Sequence, residues 1–237
     1  MPNPKIVLWD LEFTNLNADF GHLLSGAFKV LGTKNVVCRS ISDTSTFKGN
    51  PTDDAILAAK LRDDLTDADM WVTWYGERCD IPYLNSRLIV NGLQPMARVA
   101  HVDLWRTCRN KLRLHSNRLA SASAFLGLEE KTPLKPGVWQ RAIGGHKPSI
   151  RYIEEHNKQD VIVLEQAYNR LRPLVTAHPN VNIMSGEDGV RCPICGSGNL
   201  QKKGYRIAVT QKYQRFVCNA CGAWSQGKPV NMKIEVR

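Results

Sequence analysis

The order of segments in this chain predicts an α/β fold. The expected form is a mixed five-stranded sheet flanked by helices, followed by a small β module. Three strand-like segments crowd into the first 42 residues, and helical and strand-like segments then alternate as far as residue 103. Close spacing favours antiparallel hairpins and alternation favours parallel crossovers, so a chain with both builds a mixed sheet. The third observation is a pair of Cys-x-x-Cys sequences near the C-terminus, in a tail whose charge differs from the rest.

Taken in order, strands are expected at Lys5–Glu12, His22–Leu31 and Val36–Ser42, with turn-rich residues 15–21 and 32–35 between them. An amphipathic helix follows at Thr52–Thr66, with Ile56, Ala59, Leu61 and Leu65 as its apolar members and Thr52 as its cap. Met70–Tyr75 reads as a fourth strand and Ile81–Asn91 as a helix stopped by Asn91-Gly92. Arg98–Asp103 is the fifth strand. Helices are expected at Leu104–Leu112, Leu119–Leu126 and Val138–Ile143, then a long one from about Ser149 to Leu171. The polar, turn-rich stretch 176–189 reads as a linker between a first domain, 1–175, and a second, 190–237.

No apolar run is long enough to span a bilayer, and Met1–Lys5 lacks the basic and apolar blocks of a signal peptide. The expectation is a soluble, cytoplasmic protein with no membrane partner. The net charge of +10 is uneven: residues 188–237 hold nine Lys+Arg against two Asp+Glu. A basic terminal module suggests a polyanionic partner, most simply nucleic acid. The blander reading is a basic surface kept for solubility.

Asp10 and Glu12 close the first strand, two residues apart, and so point to the same side of the pleat. Two acids at one strand end repel each other unless a cation lies between them, and a divalent metal fills that role. Solvated acids at a loop are the competing reading. Asp80 lies where the fourth strand feeds a helix, the kind of junction that lines the crevice of open α/β sheets. It also suits a plain helix start. On the long helix, Ile153, Val161, Leu164, Ala167 and Leu171 mark an apolar stripe that contains Asp160, with His156 one turn earlier. A carboxylate there is costly unless paired with His156 or bound to metal. Asp103 suits either a further ligand or a helix cap, and Arg106, Arg109, Lys111, Arg113 and Arg118 either a phosphate track or a solvated helix face.

Asp10-Leu11-Glu12, followed by Phe13-Thr14-Asn15-Leu16, resembles the first motif of the DEDD 3′–5′ exonucleases, the DnaQ-like branch of the ribonuclease H-like superfamily. Trp74-Tyr75-Gly76-Glu77-Arg78-Cys79-Asp80-Ile81-Pro82-Tyr83-Leu84 resembles the second, and His156-Asn157-Lys158-Gln159-Asp160 the third. The resemblance covers about residues 5–172. It implies a ribonuclease H-like sheet and two Mg²⁺ or Mn²⁺ ions on Asp10, Glu12, Asp80 and Asp160, with His156 as the general base. The family's histidine form places four residues between His and Asp and its tyrosine form three; three stand here, so a histidine occupies the tyrosine register. Asn15 stands where a glycine is common. The implied activity is two-metal 3′–5′ hydrolysis of DNA or RNA, single-stranded or with a free 3′ end. An endonuclease on the same scaffold, or an inactive binding or recruitment module, are the alternatives. Phe13, Leu16, Trp74 and Tyr75 are candidates for base contact, or else core.

Cys192-Pro193-Ile194-Cys195 and Cys218-Asn219-Ala220-Cys221 stand 22 residues apart, each followed by glycine. Cys38, Cys79 and Cys108 are scattered, so seven cysteines do not suggest a disulfide framework. Four thiolates fit one structural Zn²⁺, and the pattern resembles a zinc ribbon; an iron–sulfur site or a redox pair are the alternatives. Lys202, Lys203, Arg206, Lys212 and Arg215 interleave with Tyr205, Tyr213, Phe216 and Trp224, a composition suited to a single strand of nucleic acid. Docking to replication, transcription or repair machinery is the other use such a module would serve.

Overall fold

The computed structural model describes residues 4–128, 135–186 and 188–231. The first three residues of the expected first domain, its residues 129–134, Glu187 of the expected linker and residues 232–237 of the second domain lie outside the described residues. The chain forms two compact units, Lys5–Tyr168 and Asn169–Arg237.

In the first unit, β1 (Ile6–Phe13), β2 (Leu23–Val30), β3 (Val37–Ser40), β4 (Met70–Thr73) and β5 (Ala100–Asp103) build one sheet in the order β3-β2-β1-β4-β5. The first three strands pair antiparallel, while β1, β4 and β5 run parallel. The helices are α1 (Ala55–Thr66), α2 (Asp80–Val90), α3 (Leu104–Lys111), α4 (Leu119–Leu126), α5 (Val138–Ile143) and α6 (Lys147–Leu171). This is the mixed five-stranded sheet flanked by helices that the segment order predicts.

Alternation along β1 sends Val7, Trp9 and Leu11 into a core with α1 and α2, where Trp9 meets Trp71 edge to face at 5.7 Å. Ile6, Leu8, Asp10 and Glu12 take the other face.

α1 departs from expectation in cap and in phase. Asp54, not Thr52, precedes its first turn, and Thr52 turns back to Asn50. The buried stripe is Leu57, Ala58, Leu61 and Leu65, while Ile56 and Ala59 are half-buried. The strand beneath sets that phase. A Cβ at Gly26 would lie 2.5 Å from Leu61 Cδ2, so the missing side chain on β2 makes the slot into which Leu61 packs.

The second unit carries α7 (Val181–Ser185) and a three-stranded antiparallel sheet, β6 (Leu200–Ile207), β7 (Lys212–Cys218) and β8 (Trp224–Pro229). α7 lies inside the stretch expected to be a linker. Asn180 caps it by accepting from the Asn182 N–H at 3.0 Å, and the Val181 N–H donates to the Pro193 carbonyl at 2.9 Å. Asn182 Nδ2 also donates to the Cys192 carbonyl at 3.1 Å. Polar residues that read as a tether are tied to the first cysteine knuckle by hydrogen bonds.

Candidate active site

Asp10 and Glu12 emerge at the carboxyl end of β1, on the face met by α6. Asp10 Oδ2 accepts from Asn157 Nδ2 at 2.8 Å, and Asn157 Oδ1 accepts from Ser25 Oγ at 3.0 Å. Ser25 lies on β2 directly opposite Glu12. Asn157 is completely buried, so its carboxamide holds the Asp10 carboxylate in a fixed orientation between β2 and α6.

Asp80 arrives from the other side. The β1–β4 pairing ends at Leu8 and Val72, which leaves the next β1 amides on that edge without a strand partner. α2 begins there, and Asp80 Oδ1 accepts from the Leu11 N–H at 3.1 Å, between Asp10 and Glu12. Burial pushes the Asp80 carboxyl up to about 7, against the pull of hydrogen bonds from the backbone of Leu11 and Asp80, and Asp103 raises it further. The Cys79 thiol is pushed up to about 12 by burial, then by the charges of Asp80, Asp10 and Glu12. Three of the expected acids therefore act on one neighbouring group.

Asp160 comes from α6 and lies with His156 beside Glu12. His156 Nε2 lies 3.8 Å from both Glu12 Oε1 and Asp160 Oδ2. Ligand atoms of Glu12, His156 and Asp160 all fall within 4.8 Å of one another. Trp139 meets the His156 ring edge to face at 5.8 Å. His156 thus stands among the carboxylates. That follows from its spacing, since residues four apart on a helix share a face. The carboxylate oxygens of this half-buried to buried group are the donors that Mg²⁺ or Mn²⁺ prefers, with His156 Nε2 beside them.

A family model described as the RNase H superfamily matches residues 7–172. The chain belongs to the RNase H superfamily. Among solved structures it is similar to the family B DNA polymerase from the hyperthermophilic archaeon Pyrobaculum calidifontis, with a TM-score of 0.58 and 14% identity over 90% of this chain. The match covers 32% of the polymerase, so the chain spans about a third of that protein, and at this identity the likeness concerns the fold. No curated protein matches the chain.

The RNase H superfamily region contains Asp10, Glu12, Asp80, His156 and Asp160 and ends before the first paired cysteine. Other candidates within it separate. Trp74 is buried and its indole N–H donates to the Asn117 carbonyl at 3.0 Å, which makes it core and corrects its reading as a base contact. Phe13 stacks on Tyr83 at 4.0 Å, so one ring face is already covered. Leu16 is exposed on the loop after β1, and Tyr75 is partly exposed beyond β4. Asp103 is a cap: it accepts from the Trp105 N–H at 3.0 Å and from the Tyr75 N–H at 2.9 Å. Neither Asn157 nor Ser25 stands out in the sequence, because an amide and a hydroxyl carry no signal until a buried carboxylate faces them.

Outside the RNase H superfamily region, Cys192, Cys195, Cys218 and Cys221 form one cluster with sulfurs within 4.8 Å of each other. The Cys192–Cys221 and Cys195–Cys218 sulfurs are 3.7 Å apart. A disulfide needs about 2.05 Å, whereas a tetrahedron with metal–sulfur bonds of about 2.3 Å puts sulfurs about 3.8 Å apart, so the cluster fits zinc. The two knuckles repeat one pattern. The Cys192 N–H donates to Ser197 O and the Gly196 N–H to Cys192 O; the Cys218 N–H donates to Ala223 O and the Gly222 N–H to Cys218 O. Gly196 and Gly222 have φ of 75° and 77°, which closes each turn. Burial pushes the Cys218 thiol up, but N–H groups of Cys221 and Ala220 and the neighbouring thiols outweigh it and bring it to about 7.

Among the described residues, the basic side chains of this module divide between two faces of its sheet. Strand alternation puts Lys212, Gln214 and Phe216 on one face of β7 and Tyr213 and Arg215 on the other. Register carries Lys202 and Tyr205 to the first face and Arg206 to the second. Lys212 Nζ sits 4.1 Å from the Tyr205 ring centre on one side, and Arg215 stacks 5.1 Å over Trp224 on the other. Lys203 is exposed in the irregular stretch between Lys202 and Tyr205.

Proposed function

We propose that the protein is a metal-dependent 3′–5′ exonuclease that hydrolyses phosphodiester bonds of DNA or RNA. Membership of the RNase H superfamily supports a nuclease in general. The observation that carries the finer reading is the convergence on one strand end of acids from three elements: Asp10 and Glu12 from β1, Asp80 from α2 and Asp160 from α6. In this reading the four carboxylates hold two Mg²⁺ or Mn²⁺ ions. When bound, those ions supply an activated water and stabilise the leaving oxygen. Asn157 and the Leu11 N–H fix the orientation of Asp10 and Asp80 before substrate arrives. His156 takes a proton at Nε2, 3.8 Å from the Glu12 and Asp160 carboxylates, the role of a general base. The 3′ polarity rests on the three motifs. The cysteine cluster, in this reading, holds one structural Zn²⁺ and its module, 190–237, grips nucleic acid or docks to partner machinery, with 176–189 joining it to the 1–175 catalytic domain.

The test is incubation with Mg²⁺ or Mn²⁺ and 5′-labelled single-stranded and duplex DNA and RNA. Stepwise shortening by the wild type, falling to background in folded Asp160→Ala, is the expected result. Full turnover by that variant overturns the two-metal reading. Internal fragments would identify an endonuclease, and no cleavage of any substrate an inactive binding module.

A further inference from the structure

A cleft of about 540 Å³ is walled by the turn after β4 and by α3. Its chemistry is that of a strand-binding surface. Tyr75 and Trp105 bring their rings to 4.7 Å at a 60° tilt, and Tyr75 is 37% exposed. The Arg109 guanidinium lies 5.3 Å over the Trp105 ring. Arg78, Arg106 and Asn110 also line it, with Glu77 and Asp103. Arg106 is paired with Glu77 at 2.7 Å, and both are well exposed, so that pair is readily exchanged for a phosphate. Among the described residues, neither Arg78 nor Arg109 pairs with a carboxylate.

The backbone is built to present these groups. Tyr75 has φ of 70°, the only non-glycine residue at positive φ among those described. An aromatic side chain rarely adopts that conformation, and such strain persists only where the surroundings impose it. Here Asp103 imposes it. One carboxylate oxygen accepts from the Tyr75 N–H at 2.9 Å and the other from the Glu77 N–H at 3.2 Å. The turn itself needs Gly76, because a Cβ there would overlap the Thr73 side chain. The result turns Tyr75 out of the end of β4 and against Trp105. The Cys79 N–H donates to the Tyr75 carbonyl at 3.1 Å and the Ile81 N–H to the Gly76 carbonyl at 3.0 Å, so the turn that carries Tyr75 and Arg78 runs directly into α2 at Asp80 and the cleft adjoins the acid site.

We propose that this cleft binds an unpaired stretch of polynucleotide beside the cleavage site, with a base against Tyr75 and Trp105 and phosphates on Arg78 and Arg109. The proposal rests on the nuclease reading and adds to it a contact surface apart from the four acids. The charge and rings suit any base, because each has a π-face.

The test is fluorescence anisotropy on the full chain, with fluorescein-labelled 12-nucleotide DNA and RNA in Ca²⁺, so no turnover is needed. The variants are Arg109→Gln and Arg78→Gln, which alter exposed side chains, and Tyr75→Gly, which relieves the backbone strain while removing the ring. Single-strand affinity should fall about 5- to 30-fold in each, and the slope of log affinity against log salt should drop by about 0.7 for each arginine removed. Melting temperature should hold or rise in Tyr75→Gly. Affinities within twofold of wild type in all three, an unchanged salt slope, or equal loss of duplex and single-strand binding would overturn the proposal. The DNA and RNA arms show which polymer is preferred. If the protein cleaves nothing yet the variants lose binding, the nuclease reading fails and the cleft stands. If it cleaves and the variants bind as wild type does, the cleft fails alone.

Discussion

A single carboxamide spans three elements at the acid site: Asn157, on α6, reaches Asp10 on β1 and Ser25 on β2. Its role is to position a carboxylate. Replacing Asn157 with Ala removes its hydrogen bond to Asp10, so metal affinity or turnover should fall about 10- to 100-fold, measured as the Mg²⁺ dependence of cleavage. The neighbouring acids were legible because carboxylates at a strand end and on a buried helix stripe have few explanations. Asn157 was not, because a buried amide in a helix is common and its partners come from distant sequence. Asp80 adds a pH dependence whose sign is definite. Its carboxyl sits at about 7 in the folded chain against an ordinary 3.8, chiefly through burial. The folded state therefore holds a proton that the unfolded chain has released. That contribution is complete at low pH and is lost as pH rises from about 4 through 7. Without divalent ions, the wild type should lose more melting temperature between pH 5 and pH 8 than Asp80→Asn does. Mg²⁺ or Mn²⁺ should restore more at pH 8 than at pH 5, because the ligand must be deprotonated. A melting series at the two pH values checks both.

Among the elements, the start of β2, the entry to α1 and the end of α2 are locked by one buried ion pair. Asp54, fully buried, accepts from the Leu23 N–H at 2.9 Å, from Arg87 at 2.8 and 3.0 Å, and from Asn91 Nδ2 at 2.9 Å. Removing Arg87 strands that carboxylate, and Arg87→Ala should cost about 3–5 kcal/mol in urea unfolding. The sequence marked strands and helices here within a few residues, since apolar periodicity reports each element's own needs. It misplaced the face of α1. Ile56 and Ala59 have the right periodicity, but the slot at Gly26 belongs to Leu61, and only the strand beneath sets that phase. Within residues 176–189, read as a linker, lies α7, because Val181 and Asn182 donate to carbonyls of the cysteine knuckle, partners that local sequence does not reveal.

At the scale of the whole molecule, the two compact units rest on different physics. Lys5–Tyr168 has an extended apolar core, whereas the cysteine module's core is Cys192, Ile194, Cys218 and Ala223, with few apolar neighbours. Among the described residues this core buries too little to offset chain entropy, so on the proposed zinc reading the metal carries the folding of that module. One zinc per chain is expected by elemental analysis. Strong chelation should abolish the module's structure and leave the first unit's melting transition in place, which calorimetry with and without chelator resolves. Taken alone, the sequence determined the sheet and its helices and the clustered cysteines, and it marked the acids as candidates. Those features depend on residue type and short-range spacing, which a linear chain carries in full. Tertiary structure decided the rest: which amide steadies Asp10, that Trp74 belongs to the core, that the basic residues of the cysteine module divide between two faces, and that a strained tyrosine opens a cleft beside Asp80. Each of these depends on what distant segments bring alongside a residue, and only packing supplies that.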